Sequence, residues 1–182
     1  KMRGRISGGM PLPLSVISVD VGRHLTLAQQ LPWVPLALIG LLIQTGTEEL
    51  LFRGYLQQQL GARYASVWVW MGLPAVAFGL LPYSPDEYGA SAVFVVIWAV
   101  CFGLAAADLT ARTGNLGAAI GLHFANNAAS LLLVGVYGQM DGLALYNTVL
   151  NMNDPWALMP YLAIDSITLL VSWLAARLIL RV

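Results

Sequence analysis

Five long apolar stretches, separated by short clusters of polar and turn-forming residues, dominate the pattern of this chain. They run roughly from Pro32 to Leu60, Tyr64 to Leu81, Ala90 to Ala111, Asn115 to Tyr137 and Trp156 to Leu180. A membrane-crossing helix needs about 20 mostly apolar residues, and each stretch reaches that length or comes close. Lipid offers no partner to an open sheet edge, so each stretch is predicted as a helix. The punctuation between them is of the kind that ends helices: Gly61-Ala-Arg63, Pro82-Tyr-Ser-Pro85, Thr113-Gly-Asn115 and Asp154-Pro155. The connections at Arg63 and Arg112 are so short that the helices they join must be antiparallel and tightly packed.

Composition agrees with the pattern. Of the 182 residues, 58% are hydrophobic and 10% charged, and the mean hydropathy is +0.72. The expected fold is therefore all-α: a polytopic transmembrane bundle of about five spans, in one domain over residues 32–182. Residues 1–31 form an N-terminal arm, interfacial or partly ordered. Its apolar run from Met10 to Val19 is too short for a span and lacks a signal peptide's cleavage pattern. The opening Lys1-Met2 carries the expectation of a processed product with further spans upstream. Zero formal net charge argues against a nucleic-acid partner, so the expected partners are membrane lipid together with a peptide, a membrane-protein substrate or other subunits of a membrane complex. Cys101 is expected as a small core residue.

Threading the chain back and forth puts Arg63, Arg112, Arg177 and Arg181 on one side, and Asp86, Glu87, Asp141 and Asp154 on the other. The positive-inside rule makes the arginine side cytoplasmic, although the basic arm of Lys1, Arg3, Arg5 and Arg23 then falls outside. Trp33, Trp68, Trp70, Trp156 and Trp173 lie near span ends, as interfacial belts do. Small residues one turn apart, Gly103 with Ala107 and Gly117 with Gly121, predict close helix contacts. The second pair implies tight packing of the helix that carries His123.

Candidate chemistry stands out against this background. Glu48, Glu49 and Arg53 interrupt the first span, where charges are costly and therefore a functional hypothesis by default. On a helix Glu49 and Arg53 share a face and can neutralise each other, whereas Glu48 points about 100° away. Glu48 is left unpaired and is a candidate general base for activating water. His123 and Asn127 share a face of a later helix, and an imidazole and a carboxamide can each donate a hydrogen bond to a developing oxyanion. Both could equally do no more than join helices. A zinc site would have to rely on His123 with Glu48 and Glu49 and lacks a recognisable spacing, so neither metal nor cofactor is expected. Asp165, near the middle of the last span, is expected to pair with Arg53 or Asn126. Asp108, four residues before Arg112, is expected to form a plain surface ion pair.

These residues resemble the CPBP membrane proteins, which include type II CAAX prenyl endopeptidases and bacteriocin-processing or immunity proteins. The family's first motif, two Glu, three residues and Arg, is matched by Glu48-Glu49-Leu-Leu-Phe-Arg53, followed by Gly54-Tyr55-Leu56. Its last, His, three residues and Asn or Asp, is matched by His123 to Asn127, and Arg112-Thr-Gly-Asn-Leu116 is similar too. The resemblance covers roughly Leu36 to Leu133. It implies a glutamate-dependent intramembrane endopeptidase, with Glu48 as base, Glu49 and Arg53 as its support, and His123 and Asn127 as the oxyanion site. It also implies residence in a bacterial inner membrane. The middle motif, Phe, three residues and His, is broken: Phe78-Gly-Leu-Leu is followed by Pro82, which has no side-chain donor or acceptor. A pseudoprotease serving as scaffold or accessory subunit is the alternative. A transporter or channel fits less well, since no inverted repeat is evident.

Overall fold

A computed structural model describes residues 21–137 and 141–182. The apolar run Met10 to Val19 and the basic residues Lys1, Arg3 and Arg5 lie outside the described residues. In chain order the elements are strand β1 (Val21–Arg23), a single helical turn α1 (Leu27–Gln30), helices α2 (Val34–Gly61), α3 (Trp68–Gly79) and α4 (Pro85–Thr113), helix α5 (Gly117–Leu132), strands β2 (Val134–Val136) and β3 (Tyr146–Thr148), and helix α6 (Pro155–Leu180).

Each of the five apolar stretches is helical, and α2, α4 and α6 are long and apolar enough to cross a membrane. The other two are shorter than expected. The second span contracts to α3, because Tyr64 to Ser66 are not helical and the residues ahead of Pro82 and Pro85 are pushed away from the α conformation. The fourth contracts to the 16 residues of α5, because Val134 to Val136 leave the helix to pair with β3. The third is preceded by a separate turn: Pro85–Tyr88 carries Asp86 and Glu87, and Gly89 at φ 50° sets it off from the long helical part of α4, Ala92–Thr113. Gly114 ends α4 at φ 68°, and Asp154 caps α6 by accepting from Trp156 N–H at 3.0 Å.

A three-stranded sheet of order β1-β3-β2 closes one end, a β element that the all-helical expectation omitted. β1 pairs antiparallel with β3, Val21 opposite Thr148. β2 runs parallel to β3, Val134 opposite Tyr146. Gln30, buried at the end of α1, donates from Nε2 to the carbonyls of Leu132 and Leu143, both at 2.7 Å. One amide thereby holds the end of α5, the sheet loop and the tail of the N-terminal arm together.

The core comprises Phe52, Phe78, Phe102, Ala106, Leu109, Ala119, Leu122 and Leu169, while Leu36, Ile39, Ile43 and Leu50 of α2 face outward, as lipid-facing side chains of a membrane bundle do. The tightest helix contact is between α3 and α4. A Cβ on Gly79 would collide with Val100, and one on Gly103 would lie 3.0 Å from Ala75 Cα. Gly103 therefore serves the close approach expected of it. Gly117 and Gly121 do not: a Cβ on Gly121 would meet nothing within 4 Å and one on Gly117 only Asn115, so α5 packs instead through Ala119 and Leu122. Cys101 is exposed, on the outer face of α4 rather than in the core. At the end of the bundle opposite the sheet, Asp108 accepts from Arg112 (2.7 Å) and from Trp173 Nε1 (3.0 Å), with Arg177 at 4.0 Å. The expected surface pair is thus a tie between α4 and α6, and Trp173 contributes a hydrogen bond as well as an interfacial ring.

Filling the α3–α4 contact should destabilise the bundle without touching any polar group. Gly79→Ala is expected to cost about 1–3 kcal/mol, the range for overpacking, read as a shift in the unfolding midpoint of the detergent-solubilised protein. An unchanged midpoint would show that the two helices are free to separate.

Candidate active site

A polar stripe on α2 builds the site. Thr45, Glu49 and Arg53 are fully buried, and Gln57 nearly so, at a constant spacing of four. On an α-helix that spacing drifts around the axis by about 40° per step. The helix changes winding where the drift would matter: Leu50–Gln57 is a π-helix, whose wider turn drifts the opposite way and keeps the stripe facing α4 and α5.

Glu49 and Arg53 are the fully enclosed pair, with Arg53 Nη1 donating to Glu49 Oε1 at 3.0 Å. Arg53 Nη2 donates to the Gly103 carbonyl at 3.0 Å, and Gln57 Nε2 to the Ala107 carbonyl at 3.0 Å. The absence of bulk at Gly103 and Ala107 leaves these α4 carbonyls open to side chains from α2. The Arg53 guanidinium also lies 4.6 Å from the centroid of the Phe78 ring, within cation–π range. Arg53 does not reach Asp165: among the described residues its ion pair is with Glu49 alone. Asn126 likewise donates to Asn127 at 3.4 Å rather than to Asp165.

His123 joins the two glutamates. Its Nδ1 is 2.8 Å from Glu49 Oε1, and its Nε2 is 3.8 Å from Glu48 Oε2. Adjacent residues on a helix diverge, yet the two nitrogens of an imidazole diverge as well, so one ring is embraced by both carboxylates. Phe78 and Phe102 hold that ring edge-on, with centroids 5.6 Å and 5.1 Å from it. The Phe of the broken middle motif thus keeps a structural task. Pro82 follows the end of α3, itself half-buried between the exposed Leu81 and Tyr83.

With Glu49 ionised as the counter-ion of Arg53, Nδ1 is the donor in this contact, and Nε2 is the nitrogen turned toward Glu48. Glu48 is also less isolated than expected: Gln44 Nε2 donates to its Oε1 at 3.2 Å, and its side chain is 28% exposed, against 0% for Glu49. Asn127 does not bond to His123. It lies one turn further along α5 and lines a cavity together with Gln44. As for metal, no group of three or more His, Cys, Asp or Glu side chains is placed to hold an ion among the described residues; Glu49 Oε1 and His123 Nδ1 are engaged with each other. Gln44 and Gln57 went unread in the sequence, although each sits four residues from a motif residue, the one signal that could have found them.

Comparison with known proteins follows the same residues. A family model described as type II CAAX prenyl endopeptidase Rce1-like matches residues 30–129. Among curated proteins the chain is 32% identical over 124 residues to the uncharacterized protein YyaK of Bacillus subtilis (strain 168), an alignment that covers 66% of this chain and 40% of YyaK. The chain thus spans less than half the length of that relative. No solved structure matches.

Removing one member of the enclosed pair leaves the other charge buried and alone. Arg53→Met is expected to cost about 3–5 kcal/mol, and the double variant Glu49→Gln/Arg53→Met to recover much of that loss, measured by unfolding in detergent. Additive losses in the double variant would show that the two charges do not depend on one another.

Proposed function

The chain belongs to the Rce1-like family of type II CAAX prenyl endopeptidases, and we propose that it is a glutamate-dependent intramembrane peptide hydrolase. The observation that carries this reading is the partly exposed Glu48 carboxylate facing an anchored imidazole at 3.8 Å, too long for a direct hydrogen bond. A water donating one proton to Glu48 Oε2 and the other to His123 Nε2 would aim its lone pair at a substrate carbonyl. Glu48 takes the proton as the water attacks, and returns it to the leaving amine. Asn127, in the cavity wall, is the neutral donor for the resulting oxyanion. Glu49 and Arg53 touch no reacting atom and act as positioning residues, fixing the tautomer of His123. The substrate class is a peptide or membrane protein, and the location a bacterial cell membrane.

One observation favours a second reading. Pro82 stands where the family's middle motif has His, and a positioned acid–base group is typically worth about 10²–10⁴ in rate. Without it the same architecture would serve as a pseudoprotease scaffold within a membrane complex.

A peptide library offered to the protein in mild detergent, with Glu48→Ala as control, separates the two. Cleavage is expected in the wild type and not in Glu48→Ala, and Pro82→His is expected to raise the rate by about 10²–10⁴. Absence of cleavage by both wild type and Pro82→His, with other membrane subunits co-purifying stoichiometrically, would replace the hydrolase reading with the scaffold.

A further inference from the structure

One helical turn from Glu48 and from His123 lies a cavity of about 350 Å³ walled by Gly40 and Gln44 of α2, Asn127 of α5, Tyr161 of α6 and the whole of β2. Its size falls in the usual range for ligand sites, about 300–1,000 Å³. Successive strand residues point to opposite faces, so a cavity touched by Val134, Gly135 and Val136 in a row runs along the edge of the strand. The sheet order β1-β3-β2 leaves that edge without a neighbouring strand among the described residues.

The hydrogen-bond register assigns the backbone groups on that edge. The Leu133 carbonyl accepts from Tyr146 N–H at 3.0 Å, and Tyr137 N–H donates to the Thr148 carbonyl at 2.9 Å, consistent with Val134 opposite Tyr146 and Val136 opposite Thr148. In a parallel pair a residue turns its N–H and C=O to one side, and successive residues alternate. The odd-numbered positions of β2 are therefore used by β3, and the N–H and C=O of Val134 and Val136 face away from it, toward the cavity. Among the described residues no loop or turn bond reaches them. Backbone groups in such a place are costly unless paired, and the partner that matches a row of them at strand spacing is another extended chain.

We propose that β2 is the docking strand for the peptide substrate, which binds in extended form along Val134 to Val136. The proposal rests on the peptide-hydrolase reading of the site and gives it a substrate conformation. Gln44 and Asn127 lie in the same cavity wall, and Gln44 donates to Glu48, so a chain paired with β2 lies one hydrogen-bonded side chain away from Glu48. A segment that is helical in the membrane must unwind to bind, because the N–H groups inside a helix are already used. The cavity favours apolar side chains, since Ala37, Leu41, Leu131 and Val136 are in its wall.

The test reads binding, independently of cleavage. Fluorescein-labelled peptides with Val-Ala, Leu-Ala or Phe-Ala centres between lysine ends are titrated against Glu48→Gln protein in detergent micelles and followed by anisotropy. The tightest binder is then N-methylated at one backbone amide at a time. Saturable binding is expected, with a loss of about tenfold at alternate amides, equivalent to about 1.4 kcal/mol, and little change at those between. Val136→Pro, which deletes an edge-facing N–H and spares the bonds to β3, is expected to weaken the same peptide by a similar factor at an unchanged unfolding midpoint. The methylation series stands on its own if that variant fails to fold. No saturable binding by any of the peptides, or losses that do not alternate, overturns the proposal. Alternating losses in a protein whose wild type cleaves nothing keep the docking strand and discard the hydrolase.

Discussion

A guanidinium with no exposed surface, inside a bundle that faces lipid, constrains everything around it. Arg53 cannot be left alone there, because an unpaired buried ion costs several kcal/mol. It is contacted from three directions: Glu49 on its own helix, the Gly103 carbonyl on α4 and the face of Phe78 on α3, while its Nε has no hydrogen-bond partner among the described residues. Holding one residue thereby brings three helices to a single point. The small residues follow from it, since Gly103 must lack a side chain both to expose its carbonyl and to admit Ala75.

The same pair sets the chemistry beside it. Glu49 Oε1 accepts from Arg53 and lies 2.8 Å from His123 Nδ1, so one oxygen atom ties the charge of α2 to the imidazole of α5. Charge-assisted bonds of this kind are short and directional. They leave the far nitrogen of His123 turned toward Glu48, the more exposed of the two carboxylates. Neighbouring Glu residues of identical chemistry thus acquire different surroundings through burial and partners alone.

Much of this was legible in the sequence because long apolar runs and buried charges are strong local signals. The five helices, the Glu49–Arg53 pairing and the divergence of Glu48 all follow from periodicity. What was not legible depends on partners distant in the chain. Val134 to Val136 read as the end of a span, and only Tyr146 to Thr148, beyond a loop, turns them into a strand. Gly117 and Gly121 carry the same spacing as Gly103 and Ala107, yet only the second pair meets another helix. Spacing shows which face the His123 ring occupies and not which nitrogen its neighbours claim. The winding change at Leu50–Gln57 has no marker in composition, although the four-residue stripe from Thr45 to Gln57 requires one to remain on a single face.

Arg53 and Gln57 stand four residues apart, and so do the carbonyls they grip, at Gly103 and Ala107. Together they act as a two-pronged ruler between α2 and α4. A slide of one full turn, about 5.4 Å, would seat one prong and strand the other, and would carry Glu49 away from His123; a smaller slide would strand both. The stagger of the two helices is therefore quantised. The depth of Arg53 and Gln57 is inherited from the backbone of α4, and Glu49, one turn before Arg53, carries that register on to His123 of α5.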